Sequence, residues 1–154
     1  MKKGKKVVIL GLGNILFKDE GIGVHIVKEL EKKALADDIE LIDGGTASLG
    51  VLTSLRNIDK VVIIDALKLG KEPGTVYRID KQNIESRLET VNLSLHQISL
   101  LEALAIAKKL NTLPKEIVLI GVEPSQIDWG LEVTDTIKER IPKIIKLVSK
   151  EMAH

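Results

Sequence analysis

The sequence predicts a three-layer α/β/α fold: a mostly parallel, twisted sheet of about five strands, one of them antiparallel, with helices on both faces. Three observations predict it. Short continuous apolar runs rich in Val and Ile recur at 7–10, 61–64 and 117–122, as expected of strands buried on both faces. Stretches with apolar residues three and four apart, the spacing of an amphipathic helix, lie between such runs. The strand candidates close on Gly or Asp, so polar loops gather at their carboxyl ends. Strand and helix alternating in this way imply parallel pairing with crossover helices.

The elements follow in order. Residues 7–10 form the first strand, ending at Gly11. A loop leads to a helix over about 21–35, whose Ile22, Ile26, Val27 and Leu30 make one apolar stripe. Residues 39–42 form the second strand, closed by Asp43-Gly44-Gly45. Leu49, Leu52 and Leu55 mark a short helix, and 61–64 is the third strand, ending at Asp65. Lys71-Glu72-Pro73-Gly74 is a turn signal, and 75–79 reads as a strand reached through it. Neighbouring strands joined so briefly are antiparallel, since a parallel pair needs a crossover. The route from Ile79 to Ser94 has no regular period. Ser94 with Gln97 makes a capping box for a helix over about 95–110. Residues 117–122 are another strand, and Thr134 caps a last helix to about Lys150, kinked by Pro142. With 154 residues and no linker or repeat, 1–154 reads as a single domain.

Composition narrows the function. Lys+Arg 23 against Asp+Glu 22 leaves a charge of +1, which argues against a basic nucleic-acid surface. Zero Cys removes disulfides, thiolate metal sites and a Cys nucleophile. The basic tip at Lys2, Lys3, Lys5 and Lys6 and the apolar run that follows resemble a secretion signal superficially. The run is too short for a membrane span and no small-residue cleavage site follows, so a cytoplasmic chain without a membrane partner is expected.

Ligands of parallel sheets sit beyond the carboxyl ends of the strands. Gly11-Leu12-Gly13 invites a dinucleotide reading, but Leu16 stands where the third glycine belongs, and Asp19 and Glu20 would repel a pyrophosphate. No Walker A or Gly-x-Ser-x-Gly pattern occurs. His25 and Glu29, four apart on a helix, read as a solvated pair. Glu20, Asp65 and His96 form a more informative set. If the first and third strands are neighbours, both carboxylates reach one edge of the sheet. Two carboxylates and an imidazole suit a divalent transition metal such as nickel, zinc, iron or manganese, and three protein ligands leave positions open. Each residue also has an ordinary structural reading. Glu20 can complement a helix dipole, Asp65 can cap a turn, and His96 can sit at a helix start.

The run Gly11-Leu12-Gly13-Asn14-Ile15-Leu16-Phe17-Lys18-Asp19-Glu20-Gly21-Ile22-Gly23 closely resembles the opening of the nickel–iron hydrogenase maturation endopeptidases. Asp43-Gly44-Gly45-Thr46, Ile64-Asp65-Ala66, Leu95-His96-Gln97 and Gly121-Val122-Glu123-Pro124 with Gly130-Leu131 resemble four further motifs of that family, in the same order. The resemblance implies an endopeptidase that removes the C-terminal extension from the precursor of a hydrogenase large subunit after nickel insertion. It implies Glu20, Asp65 and His96 as the metal-contacting and catalytic positions, with Asp43 a further acidic position. The nickel is then supplied by the substrate, and the partner is the precursor, met by a monomer. Gly44-Gly45-Thr46 offers backbone N–H groups to an extended substrate segment, and Phe17 and Trp129 are aromatic candidates for substrate contact, or for packing under their own loops. Two other readings are a non-catalytic metal-binding assembly module for hydrogenase and a nucleotide-binding domain using Gly11 and Gly13.

Overall fold

The computed structural model describes residues 4–89 and 99–153. Its frame is one sheet of five strands: β1 (Val7–Leu12), β2 (Ile39–Gly45), β3 (Lys60–Ala66), β4 (Val76–Asp80) and β5 (Glu116–Val122). Their order is β2-β1-β3-β5-β4; the first three pairings are parallel and β4 runs antiparallel to β5. The apolar runs therefore do what continuous β-branched runs dictate, and β1 and β3 are neighbours. One detail differs from expectation. β4 is antiparallel, but its neighbour is β5 and not β3, because β5 inserts between them. The turn at 71–74 thus carries the chain over the end of β5.

Alternate strand residues feed two cores. Val7, Ile9, Val62, Ile64, Val118 and Ile120 face α1 (Ile22–Glu31) and, late in the chain, α6 (Ile141–Met152), through Ile26, Leu30, Ile144 and Val148. Val8, Leu10, Val61, Ile63, Ile117 and Leu119 face α2 (Ser48–Thr53), α3 (Lys81–Leu88) and α4 (Leu100–Lys109), through Leu52, Ile84, Leu88, Leu100 and Leu104. Residues two apart on a strand point the same way, so each run supplies both layers.

Several helix boundaries depart from the sequence reading, each for a physical reason. A 3-10 turn (Lys18–Gly21) precedes α1, and α1 stops at Glu31, because residues 31–34 are all exposed and bury nothing. α3 occupies part of the stretch read as irregular. Asp80 caps it, its carboxylate accepting from Asn83 N (3.0 Å), and only Ile84 and Leu88 anchor it. α4 begins at Leu100, where Ser99 is the cap and accepts from Glu102 N (3.2 Å); the Ser94–Gln97 box lies outside the described residues. The last helix is two helices: α5 (Asp135–Lys138) ends, and Pro142 sits in the first turn of α6, where a missing N–H is tolerated. Thr134 precedes α5 without capping it through its side chain, because its hydroxyl is engaged elsewhere.

At the opposite end of the sheet from the strand carboxyl termini, Lys60 is 2% exposed. Its Nζ donates to the Glu151 carboxylate (2.7 Å) and carbonyl (2.9 Å), and Arg78 Nε donates to the other Glu151 oxygen (2.6 Å). A buried ammonium of this kind persists only when paired. The pair ties the end of α6 to β3 and β4.

Candidate active site

The sheet turns about β1: the chain moves outward to β2, then crosses to β3 on the other side. This is the point at which loops part and a crevice opens. A cleft of about 910 Å³ lies there. Its floor is Leu12, Gly13, Glu20, Asp65 and Ala66, and its sides are the 45–50 and 67–69 segments, the start of α4 and Ile127.

Glu20 arrives on the 3-10 turn and Asp65 on the penultimate residue of β3. Gly13 brings them together. Its φ of +124° favours a residue without a side chain, and a Cβ there would lie 1.8 Å from the Glu20 carbonyl oxygen and 3.6 Å from Asp65 Oδ1. Asp65 Oδ1 accepts from the Ala66 amide (2.8 Å). Burial pushes the Asp65 carboxyl up to about 7; the Ala66 N–H opposes this and the charge of Glu20 adds to it. Two acids of the expected trio therefore share the cleft floor, and one of them holds its proton near neutral pH. His96 lies outside the described residues. Among the described residues no group of three His, Asp or Glu side chains is placed to hold a metal.

The other expected residues divide. Gly45 and Thr46 line the cleft, while Asp43 and Gly44 are not among its described lining residues. Asp43 shapes the wall instead: its Oδ1 accepts from Gly45 N (3.0 Å), holding Gly45 at φ +49°. That bond takes one of the backbone N–H groups expected to hold substrate, and the Gly45 carbonyl accepts from Gly13 N (2.8 Å). Phe17 and Trp129 are also absent from the described lining. Their rings stack on each other at 4.7 Å, where the 14–18 and 126–131 loops meet. His25 is half-buried rather than solvated, and among the described residues its Nε2 has no hydrogen-bond partner; burial and Lys28 lower its proton affinity and the charge of Glu29 opposes them.

Two further acids build the site, and the motif comparison gave neither a role. Asp19 is fully buried. Its Oδ2 accepts from Ser125 N (2.9 Å), Gln126 N (2.9 Å) and the Thr134 hydroxyl (2.8 Å), and its Oδ1 accepts from Thr134 N (2.7 Å). It locks the turn that presents Glu20 to the loop after β5. Glu123 Oε1 accepts from Leu69 N (2.9 Å), Lys71 N (3.0 Å) and the Tyr77 hydroxyl (2.8 Å), fixing the 67–71 wall. Burial raises the Glu123 carboxyl, but the Tyr77 hydroxyl and the Leu69, Lys71 and Gly70 amides outweigh it and hold it below its ordinary value. Glu123 directly follows β5, which marks it weakly in the sequence; Asp19, in the 3-10 turn well past β1, carries no local signal.

The cleft at the switch point of this α/β sheet is open to solvent and brings the carboxylates of Glu20 and Asp65 into one lining, an arrangement that can serve acid–base chemistry or an oxygen-liganded ion. The class of protein comes from comparison with known chains. The family model described as hydrogenase maturation protease matches residues 24–151. The hydrogenase expression/formation protein HupD of Thiocapsa roseopersicina is 35% identical over 99% of this chain and 70% of its own length. The hydrogenase 2 maturation protease of Escherichia coli strain K12 is 34% identical over 93% of this chain and 88% of its own. The solved structure of the hydrogenase maturating endopeptidase HybD from E. coli superposes with a TM-score of 0.83 at 32% identity, covering 96% of this chain and 92% of that one. The chain belongs to the hydrogenase maturation protease family, and is thereby an enzyme that hydrolyses peptide bonds.

Proposed function

We propose that this chain removes the C-terminal extension of a nickel–iron hydrogenase large-subunit precursor once nickel has been inserted, and that it recognises the nickel held by that precursor through Glu20, Asp65 and His96. The observation that carries the reading is the meeting of Glu20 and Asp65 on the floor of an open cleft. Two carboxylates from separate elements can donate to an ion that a partner presents, and a hard or borderline divalent ion accepts such oxygen ligands. A loaded precursor then gains metal–oxygen bonds that an empty one lacks.

The substrate segment lies along the cleft between the 45–50 and 67–69 walls. The nickel held by the precursor would act as a Lewis acid on the scissile carbonyl or on a water. Either carboxylate, Glu20 or Asp65, can take a proton from that water as general base while the other stays an oxygen donor to the ion. Asp43 acts by fixing the Gly44-Gly45-Thr46 wall rather than by touching the reacting atoms. The chain acts on the precursor as a monomer in the cytoplasm; among the described residues no helix is long and apolar enough to cross a membrane.

The test is processing of purified nickel-loaded precursor at low enzyme ratio, followed by mass. The wild-type chain shortens many precursor molecules per enzyme, and Glu20→Gln and Asp65→Asn, folded by circular dichroism, do not. A stoichiometric complex without shortening would mark an assembly module instead. Normal processing by both variants would overturn the assigned roles.

A further inference from the structure

Among the described residues, the large apolar side chains left exposed are Leu16, Leu69, Leu110, Trp129 and Leu131. Leu69 lines the cleft, and three of the others flank one pairing between two loops that also carry the cleft residues Gly13, Glu20 and Ile127. Leu16 (44% exposed), Trp129 (73%) and Leu131 (66%) each lie one residue from the pairing of Phe17 with Gly130. Scattered apolar side chains are ordinary on a surface; a cluster at the rim of a functional cleft marks an interaction site.

The cluster stands on a rigid base. Lys18 N donates to Gly130 O (2.9 Å) and Gly130 N to Leu16 O (2.9 Å). The Phe17 ring backs Trp129, and the buried carboxylate of Asp19 anchors both loops one residue further on. An aromatic anchor held in this way loses little entropy on binding. Lys18 pairs with Asp128 (3.0 Å), and the remaining adjoining charge is the exposed acid Glu132, so the ledge presents apolar surface without attraction for an anionic partner.

Position names the occupant. The loop that carries Leu16 also carries Gly13 and Glu20 into the cleft, and Ile127, two residues before Trp129, lines it. A protein whose terminal segment lies over Glu20 and Asp65 brings its remaining mass over this ledge. The three side chains expose at most a few hundred Å², roughly, short of the ~800 Å² per partner of a standard stable interface. The ledge alone holds no lasting complex; ledge and cleft together suit a partner that binds, is cut and leaves.

We propose that Leu16, Trp129 and Leu131 form a docking ledge for the folded body of the precursor whose C-terminal segment enters the cleft, an inference that rests on the reading above. The ledge sets affinity for the whole precursor and leaves the chemical step alone. The experiment titrates nickel-free precursor, which on the reading above is not cut, into the wild-type chain and into the Trp129→Ala/Leu131→Ser double variant by calorimetry, with processing kinetics on nickel-loaded precursor in parallel. The expected result is a loss of affinity of about tenfold or more, a matching rise in KM, an unchanged kcat and recovery in Trp129→Phe. Unchanged affinity in the double variant overturns the ledge. So does a wild-type dimer in sedimentation velocity that the double variant dissolves, because a second copy is then the occupant. Binding is read apart from cleavage, so a chain that binds through the ledge without shortening the precursor overturns the proposed reaction and spares the ledge.

Discussion

Glu20 and Asp65 meet across Gly13: a single methyl group built there would lie 1.8 Å from the carbonyl oxygen of the one and 3.6 Å from the carboxylate of the other. Only glycine permits this close approach of the two segments. Burial in the cleft is the main reason that the Asp65 carboxyl is pushed up to about 7; the Ala66 N–H opposes the rise and the charge of Glu20 adds to it.

The first prediction concerns metal-free stability against pH. Folded Asp65 keeps its proton up to about 7, whereas the unfolded chain releases it near 3.8. Between those values the unfolded state binds fewer protons, so this group's contribution to stability is present below pH 3.8 and is lost as pH rises towards 7. Asp65→Asn removes the charge. It should match the parent near pH 4 and exceed it at pH 8 by roughly 2 kcal/mol, taking solvent screening of the partly exposed group into account. Urea unfolding at both pH values checks this; a gap that does not widen with pH contradicts it.

Asp19 gives the second. Asp19→Ala takes the acceptor from three partly buried amides, those of Ser125, Gln126 and Thr134. Each unmet buried donor costs about 1–3 kcal/mol before relaxation, so a net loss of about 3 kcal/mol is expected after the loops readjust. Processing should fall at least tenfold even below the unfolding transition, because the turn carrying Glu20 loses its tether. Equal stability of Asp19→Ala and wild type would refute the tether.

The two outcomes bear on what the sequence made legible. Strands at 7–10, 61–64 and 117–122 needed only their own apolar residues, and the neighbouring of β1 and β3 put Glu20 and Asp65 together as expected. α3 was hidden because Ile84 and Leu88 are its only buried residues; its signal was the Asp80–Asn83 cap. The position of β4 was hidden because the residue spacing of a turn fixes direction but not which strand is adjacent. Asp19 and Glu123 were hidden for a different reason. Their hydrogen-bond partners lie from 46 to 115 residues away in sequence, and no local pattern encodes such a partner. Trp129 stood out by composition, yet which surface it serves depends on the pairing of its loop with Phe17.

Glu123 supports the third prediction. Its carboxylate collects the amides of Leu69, Lys71 and Gly70. Glu123→Ala should free the segment that carries Lys68 and Lys71, and limited trypsin digestion should cut there roughly ten times faster, since cleavage tracks local opening. Tyr77→Phe removes one donor and leaves the amides paired, so its digestion rate should stay near that of wild type.

The fourth prediction separates the two ends of the sheet. Glu151→Ala leaves the Lys60 ammonium, 2% exposed, with the residue 151 carbonyl and a Glu116 carboxylate 4.0 Å away but without its close carboxylate partner; breaking a buried pair from one side costs about 3–5 kcal/mol, and the low end is expected here. Replacing both partners, Lys60→Met with Glu151→Leu, removes the stranded charge and should recover most of the loss. Arg78, which is half exposed, then turns to water. Lys60 begins β3 and Asp65 lies five residues on, at the other end of the same strand. Below the melting transition, kcat for precursor processing should therefore be unchanged in the double variant. A loss of kcat at full folding would mean that strain at one end of β3 reaches the acids at the other. That would make the strand a mechanical link between the α6 clamp and the cleft, and the rigid placement of Asp65 would depend on the clamp.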